Sequence, residues 1–315
     1  MAYNKTEHLR RNIEAIRTAF ALEREQRAAT PEERDVLRAY SGFGAIKEVL
    51  EPLPHKKETA LTPLIEELHA VLKENTGGER EYKRYLDSLK ASVLTAFYTP
   101  EPVTDAIMRM LYNAGVVPVR ALEPSAGTGA FAEYLRRYNE EAEITCFEKD
   151  PLTGLILRHL HPDDTVRVQG LETIEPAYEG HFDLITSNIP FGDVSLFDPA
   201  FSSSRDPVRR QGAWAIHNYF FMKSVDLVRA GGLIAFITSQ GMADAERNRP
   251  VREWLMERCD LVAAVRLPNN LFTDHAGTEV GSDLIVLQKN SDARPLSERQ
   301  RDFIETRTLS NGITV

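Results

Sequence analysis

From Val103 onward, short apolar runs alternate with stretches whose apolar residues recur at helical spacing. The runs near 119–124, 144–149, 165–169, 182–188, 232–239, 261–267 and 282–288 predict strands, with helices between them. Apolar strands separated by helices give a largely parallel sheet covered on both faces, an α/β fold. Before residue 90 the pattern is helical throughout. Leu9 to Arg27 carries apolar residues at helical spacing, Thr30-Pro31-Glu32-Glu33 reads as a cap with Pro in the first turn, and Thr62-Pro63 opens another helix. Thr76-Gly77-Gly78 breaks the run. The expected organisation is a helical segment over 1–90, a catalytic domain over 91–290 and a tail or linker over 291–315.

Two strand ends carry candidate chemistry. The run ending at Leu122 leads into Glu123-Pro124-Ser125-Ala126-Gly127-Thr128-Gly129, and Ala130 to Tyr138 reads as a helix. Glycines allow close backbone approach to a ligand, and the helix start offers N–H groups to an anion. Gly127-x-Gly129-x-x-Ala132 also satisfies the dinucleotide-binding pattern, with Glu148 placed to hold a ribose. Against that reading, Glu123-Pro124-Ser125 stands where a dinucleotide-binding strand stays apolar, which favours S-adenosylmethionine. Asp150-Pro151 caps the following helix and leaves Glu148 at a strand's carboxyl end.

The second strand end is Asn188-Ile189-Pro190-Phe191, directly behind Phe182 to Ser187. Methyl transfer to a planar nitrogen needs groups that hold both amine hydrogens while the nitrogen pyramidalises. The Asn188 side-chain oxygen and the Ile189 carbonyl can accept those two bonds, and Pro190 stiffens the turn that aims them. Phe191 offers a stacking face. Such stacking is worth roughly 1–3 kcal/mol per base, comparable to the few kcal/mol needed to extrude a base from a duplex. Taken alone, the four residues also fit a strand, an Asn/Pro turn and a core Phe.

Phe97-Tyr98-Thr99-Pro100, then Glu123 to Gly129, then Asn188 to Phe191, in that order, resemble the gamma-class N6-adenine DNA methyltransferases, including the M subunits of type I restriction systems. The resemblance implies a Rossmann-like seven-stranded S-adenosylmethionine-dependent methyltransferase sheet. It also implies that Thr99 and Pro100 border the methionine end of the cofactor, that the loop of Glu123, Pro124, Ser125, Gly127 and Gly129 passes under it, and that Glu148 binds its ribose. Family members usually carry Pro at the position of Ile189; a residue acting through its carbonyl should tolerate the change. Further segments, Ala28 to Glu33, Tyr40 to Gly44, Ile216 to Phe221 and Leu267 to Phe272, are similar to the methylase module of large methylase-helicase proteins of phages and conjugative elements. That implies DNA as substrate and a helicase or specificity domain or subunit as partner, in cis or in trans. The family's acidic residue for the cofactor adenine falls near Leu171, which makes Glu172 its substitute here. Phe272 is implied as a second aromatic wall of the base pocket, with core packing as the alternative.

Composition changes this picture in one respect. At 315 residues and 42% hydrophobic, the chain can bury one large core plus a satellite. No stretch is long and apolar enough to span a membrane, and the N-terminus is charged from Lys5, so a soluble cytoplasmic protein is expected. Cys146 and Cys259 show no metal-ligand spacing, and no metal is expected. The net charge of −9 is what stands out, because DNA affinity rests heavily on cations that neutralise phosphates. Arg205, Arg209 and Arg210, in the stretch from Asp193 to Gly212, are the candidates to do so, the alternative being a solvated surface loop. His217 is expected to serve a helix start, and Tyr40 to Gly44 to form a turn docking the helical segment near the cofactor. Only about two dozen residues follow the last strand, too few for a target-recognition domain. Methylation of RNA or of a protein glutamine, and a non-catalytic docking module, remain the other classes.

Overall fold

The computed structural model describes residues 4–44, 46–51, 58–95, 98–192, 194–272, 281–292 and 294–306. Helices α1 (Lys5–Glu25), α2 (Pro31–Arg38), α3 (Thr62–Glu74) and α4 (Glu79–Thr95) come first, followed by α5 (Glu101–Asn113). Asn4 caps α1 by accepting from Thr6 N and Glu7 N, and Thr30 and Glu33 close a reciprocal capping box on α2. Leu9, Ile13, Ile16 and Phe20 recur three or four residues apart and are all buried on one face of α1.

The seven strands are β1 (Arg120–Glu123), β2 (Glu143–Phe147), β3 (Thr165–Arg167), β4 (Phe182–Asn188), β5 (Val228–Ser239), β6 (Cys259–Arg266) and β7 (Ser282–Lys289). Between and after them lie α6 (Ala130–Tyr138), α7 (Pro151–Leu160), the short α8 (Pro199–Ser202) and α9 (Pro207–Gly212), α10 (Ile216–Leu227), α11 (Gly241–Asp244), α12 (Arg249–Met256) and α13 (Glu298–Ile304). They form one sheet in the order β3-β2-β1-β4-β5-β7-β6, parallel except that β7 runs against both of its neighbours. This is the Rossmann-like sheet expected. β7 shows six consecutive buried residues, as a strand covered on both faces requires, whereas the edge strand β6 alternates and then opens to solvent.

One apolar cluster unites α1, α2 and α3 with Leu152, Leu155 and Ile156 of α7, so the helical segment is built onto the sheet's helical layer. Truncating a buried leucine at such a contact costs about 2–5 kcal/mol. The Tyr40 turn docks the helical segment against Tyr98 and α7: its ring meets Tyr98 edge-on at 6.3 Å, and its hydroxyl lies 3.4 Å from Thr153 Oγ1. Part of the stretch expected as tail or linker is packed, since α13 has a capping box at Ser297 and places Ile304 in the main core. Phe97 and Asp193, at the starts of two segments singled out above, lie outside the described residues.

Candidate active site

In the strand order β2-β1-β4, the central pair β1 and β4 mark the point where connections leave in opposite directions, and open α/β sheets bind ligands outside the carboxyl ends of strands at such a point. A cavity of about 590 Å³ lies there. Thr99, the β1 turn from Glu123 to Gly127, Glu148 behind β2, Glu172 and the whole run Asn188 to Phe191 all line it. Residues 99, 148 and 188 are far apart in sequence, and the sheet topology brings them to one space.

The two carboxylates hold this space together in different ways. Glu148 Oε2 accepts from Gly127 N at 2.7 Å and Oε1 accepts from Asp150 N at 2.7 Å, which fastens the glycine turn to the end of β2. Burial pushes the Glu148 carboxyl up to about 7, with the nearby Asp150 charge adding to the rise. Glu123 is 1% exposed and accepts from Ala132 N at 2.8 Å and Phe131 N at 3.4 Å. Two of the α6 amides at the helix start are therefore already occupied by a side chain of β1, and Glu123 serves the turn itself. Burial raises its carboxyl well above the ordinary range.

Gly127 and Gly129 differ in the same way. Both have positive φ, +57° and +85°, where a side chain is strained. A Cβ on Gly127 would meet the Tyr98 ring at 3.1 Å, on the cavity side; one on Gly129 would collide with the His161 ring and Leu157, behind the turn. Gly129 therefore packs helix against helix, while Gly127 shapes the cavity floor.

At the other wall, Ser187 Oγ donates to Ser125 O at 2.9 Å and ties the end of β4 to the β1 turn. Ile189 N donates to Ile237 O at 3.0 Å, and the Ile189 side chain, 1% exposed, anchors in the main core. Phe191 borders the cavity and meets Phe272 edge-on, centroids 6.0 Å apart. Phe272 is itself fully buried, so it backs Phe191 instead of facing the cavity as a second wall.

The family model for N-6 DNA methylases matches residues 84–312. The chain belongs to the N-6 DNA methylase family. Among curated relatives, this methylase chain is 25% identical over 201 residues to "Defense against restriction protein B" of Escherichia phage P1, covering 62% of this chain and 8% of the phage protein. It is 26% identical over 231 residues to the type II methyltransferase M.XamI of Xanthomonas campestris pv. amaranthicola, covering 70% of this chain and 43% of that one. The chain thus spans less than half the length of either relative. A solved structure of the type I R-M system shares the fold at 17% identity and a TM-score of 0.51, over 90% of this chain and 69% of that one.

The methylase family implies S-adenosylmethionine, and the residues present fit it. Thr99 Oγ1 and Glu172 Oε2 are buried with no hydrogen-bond partner among the described residues, and both side chains line the cavity. An unpartnered hydroxyl and an unpartnered carboxylate oxygen in one cavity suit a ligand rich in hydroxyl and amino groups, as S-adenosylmethionine is. Glu172 is held by Lys149 at 3.0 Å through its other oxygen. α4 supplies lining that the methylase motifs do not reveal: Arg84, Ser88 and Ser92 face the same cavity, and Ser88 Oγ donates to Asp150. Nothing in α4 beyond helical periodicity marks these residues in the sequence.

None of the three candidate phosphate-binding arginines, Arg205, Arg209 and Arg210, lines this cavity. Arg209 makes a bidentate pair with Asp226 at 2.8 and 2.7 Å and lies over the Phe201 ring at 4.3 Å, a structural role set by α9 packing on α10 and α12. Arg210 is exposed and donates to Ser204 O at 2.6 Å. Pro100 is not among the cavity-lining residues; it sits at the start of α5 as its N-cap. His217 starts α10, buried, with Nε2 3.3 Å from Asn248 Nδ2, which is the structural role expected.

Proposed function

We propose that this chain transfers a methyl group from S-adenosylmethionine to the exocyclic N6 amine of adenine in DNA, with the target base extruded from its stack. The observation that carries the reading is that Asn188 to Phe191 and the Glu148-fastened glycine turn line one and the same cavity, in a chain of the N-6 DNA methylase family. The cofactor, when bound, supplies an electrophilic methyl on a sulfonium. Thr99 would hold its amino-acid end, Gly127 its floor, Glu148 its ribose and Glu172 its adenine. Asn188 Oδ1 and the Ile189 carbonyl accept the two amine hydrogens and let the nitrogen lone pair leave conjugation. The buried Ile189 side chain and its 3.0 Å backbone bond to β5 fix the carbonyl that does this. Phe191, braced by Phe272, gives the base a face to rest on.

On this reading residues 91–290 hold the chemistry, residues 1–90 brace the cofactor end of the cavity, and α13, within the stretch 291–315, packs on the catalytic core through Ile304. Target choice comes from a specificity or helicase element in cis or in trans, in keeping with relatives much longer than this chain. The cytoplasm is the compartment that fits; no helix among the described residues is long and apolar enough to cross a membrane. The test is transfer of label from tritiated S-adenosylmethionine in parallel reactions with DNA, RNA and a glutamine-bearing release factor. Label recovered as N6-methyladenine from DNA is the expected result. Label confined to RNA or protein overturns the substrate, and none in any of the three overturns the activity.

A further inference from the structure

We infer that the exposed rings of Phe197 and Trp214 form a stacking rim for the unpaired nucleotides that flank the target base. The inference rests on the DNA reading above and extends it. Phe197 is 75% exposed and Trp214 68%, the two most exposed large apolar side chains among the described residues. Both belong to the connection between the β4 tetrapeptide and α10. Leu196, next to Phe197, lines the cavity, as does Ile216, two residues beyond Trp214. Leu196 N donates to Ala213 O at 2.9 Å, which sets the two segments side by side. The two rings thus stand on segments whose neighbouring residues line the same cavity as Phe191.

The exposure is local. Phe201 and Trp254, in the same layer, are 0% and 5% exposed and stacked under Arg209 and Arg258. The chemistry of the segment favours nucleotides over a protein partner. Every base offers a π face, so a ring captures it without reading its sequence and without needing net positive charge, which this chain lacks. The segment also carries exposed cations, Arg205 and Arg210, neither of which makes an ion pair among the described residues. Its two acids among the described residues are engaged: Asp206 accepts from Trp254 Nε1 at 2.7 Å, and Asp198 accepts from the Tyr219 hydroxyl at 2.8 Å and pairs with Lys223.

Trp214 is one of only two tryptophans and the exposed one, so it reports on its own surroundings. The whole chain is titrated with a fluorescein-labelled, adenine-containing single-stranded oligodeoxynucleotide, without cofactor. Expected are quenching of Trp214 emission, its protection from acrylamide, and a loss of affinity on the order of tenfold in Phe197→Ala and in Trp214→Ala, with Trp214→Phe retaining most of the binding. In turnover, KM for DNA should rise in both alanine variants while KM for the cofactor does not. Equal oligonucleotide affinity in the wild type and the Phe197→Ala/Trp214→Ala double variant overturns the rim, including in favour of a protein ligand there. The binding readout needs no methyl transfer. A chain that binds through the rings yet methylates no DNA loses the activity and keeps the rim; one that methylates DNA with KM indifferent to both rings does the opposite.

Discussion

Glu148 and Gly127 are joined by a 2.7 Å hydrogen bond in which the buried carboxylate of one strand end holds the amide of the glycine turn at another. The same carboxyl is the proposed ribose ligand and is pushed up to about 7 by burial. Its ionised form is the better acceptor for hydroxyl donors. Cofactor affinity is therefore expected to hold above about pH 7 and to weaken below it, by up to about tenfold per pH unit. Stability of the cofactor-free chain should move the other way. With a folded value of about 7 against an ordinary 4.5, the folded chain holds more protons between those values and gains stability as pH falls through that window. Burial pushes Glu123 and Asp150 in the same direction, so the quantity to read is the difference between wild type and Glu148→Gln, by calorimetric titration and by thermal melts across pH.

Replacing Asn188 with Ala should lower the methylation rate by on the order of a hundredfold or more, as removal of one preorganised polar group from a transition state does. Cofactor binding should change little. Phe191→Ala should instead raise KM for DNA about tenfold. Steady-state kinetics with separate titration of cofactor and DNA distinguishes the two, and a full rate in Asn188→Ala would remove that side chain from the chemistry.

The two glycines predict different phenotypes. Gly129→Ala sets a methyl group against His161 and Leu157 at φ +85°, so its main effect should be a lower melting temperature, with a cost of at least about 1–2 kcal/mol from the left-handed backbone alone. Gly127→Ala meets only the Tyr98 ring, at 3.1 Å, and should weaken cofactor binding along with a smaller thermal shift. Melting curves and cofactor titrations on both variants check this.

Arg209→Ala removes a bidentate partner from Asp226 and a cation from the Phe201 ring. The expected result is a destabilisation of about 1–3 kcal/mol in denaturant unfolding, with KM for DNA largely retained in the folded fraction. A DNA-binding defect without loss of stability would return this arginine to the interface.

The strands were legible because each is a short apolar run between helical stretches, and all seven fall within a few residues of where the pattern puts them. β5 starts earlier than expected, since Val228 pairs with Phe182 ahead of a register shift. The turn from Glu123 and the run from Asn188 were legible because their residue types are rare at strand ends. What the pattern could not carry was direction. Glu123 reads as a free carboxylate until the start of α6 is folded onto it, and Gly129 reads like Gly127 until His161 arrives from α7. Arg209 reads as a surface cation until Asp226 and Phe201, from two other helices, close around it. Ser88 of α4 reads as an ordinary helical serine, because its partner Asp150 is distant in the chain.

The place of β7 constrains how this molecule can be made. β5 and β6 are not neighbours in the sheet; each leans on Ser282–Lys289, the last of these seven strands to be synthesised. Until that strand arrives, β5 presents an open, apolar backbone edge to every other nascent chain nearby. A chain stopped between β6 and β7 would therefore be a half-finished, adhesive sheet, not a smaller working enzyme.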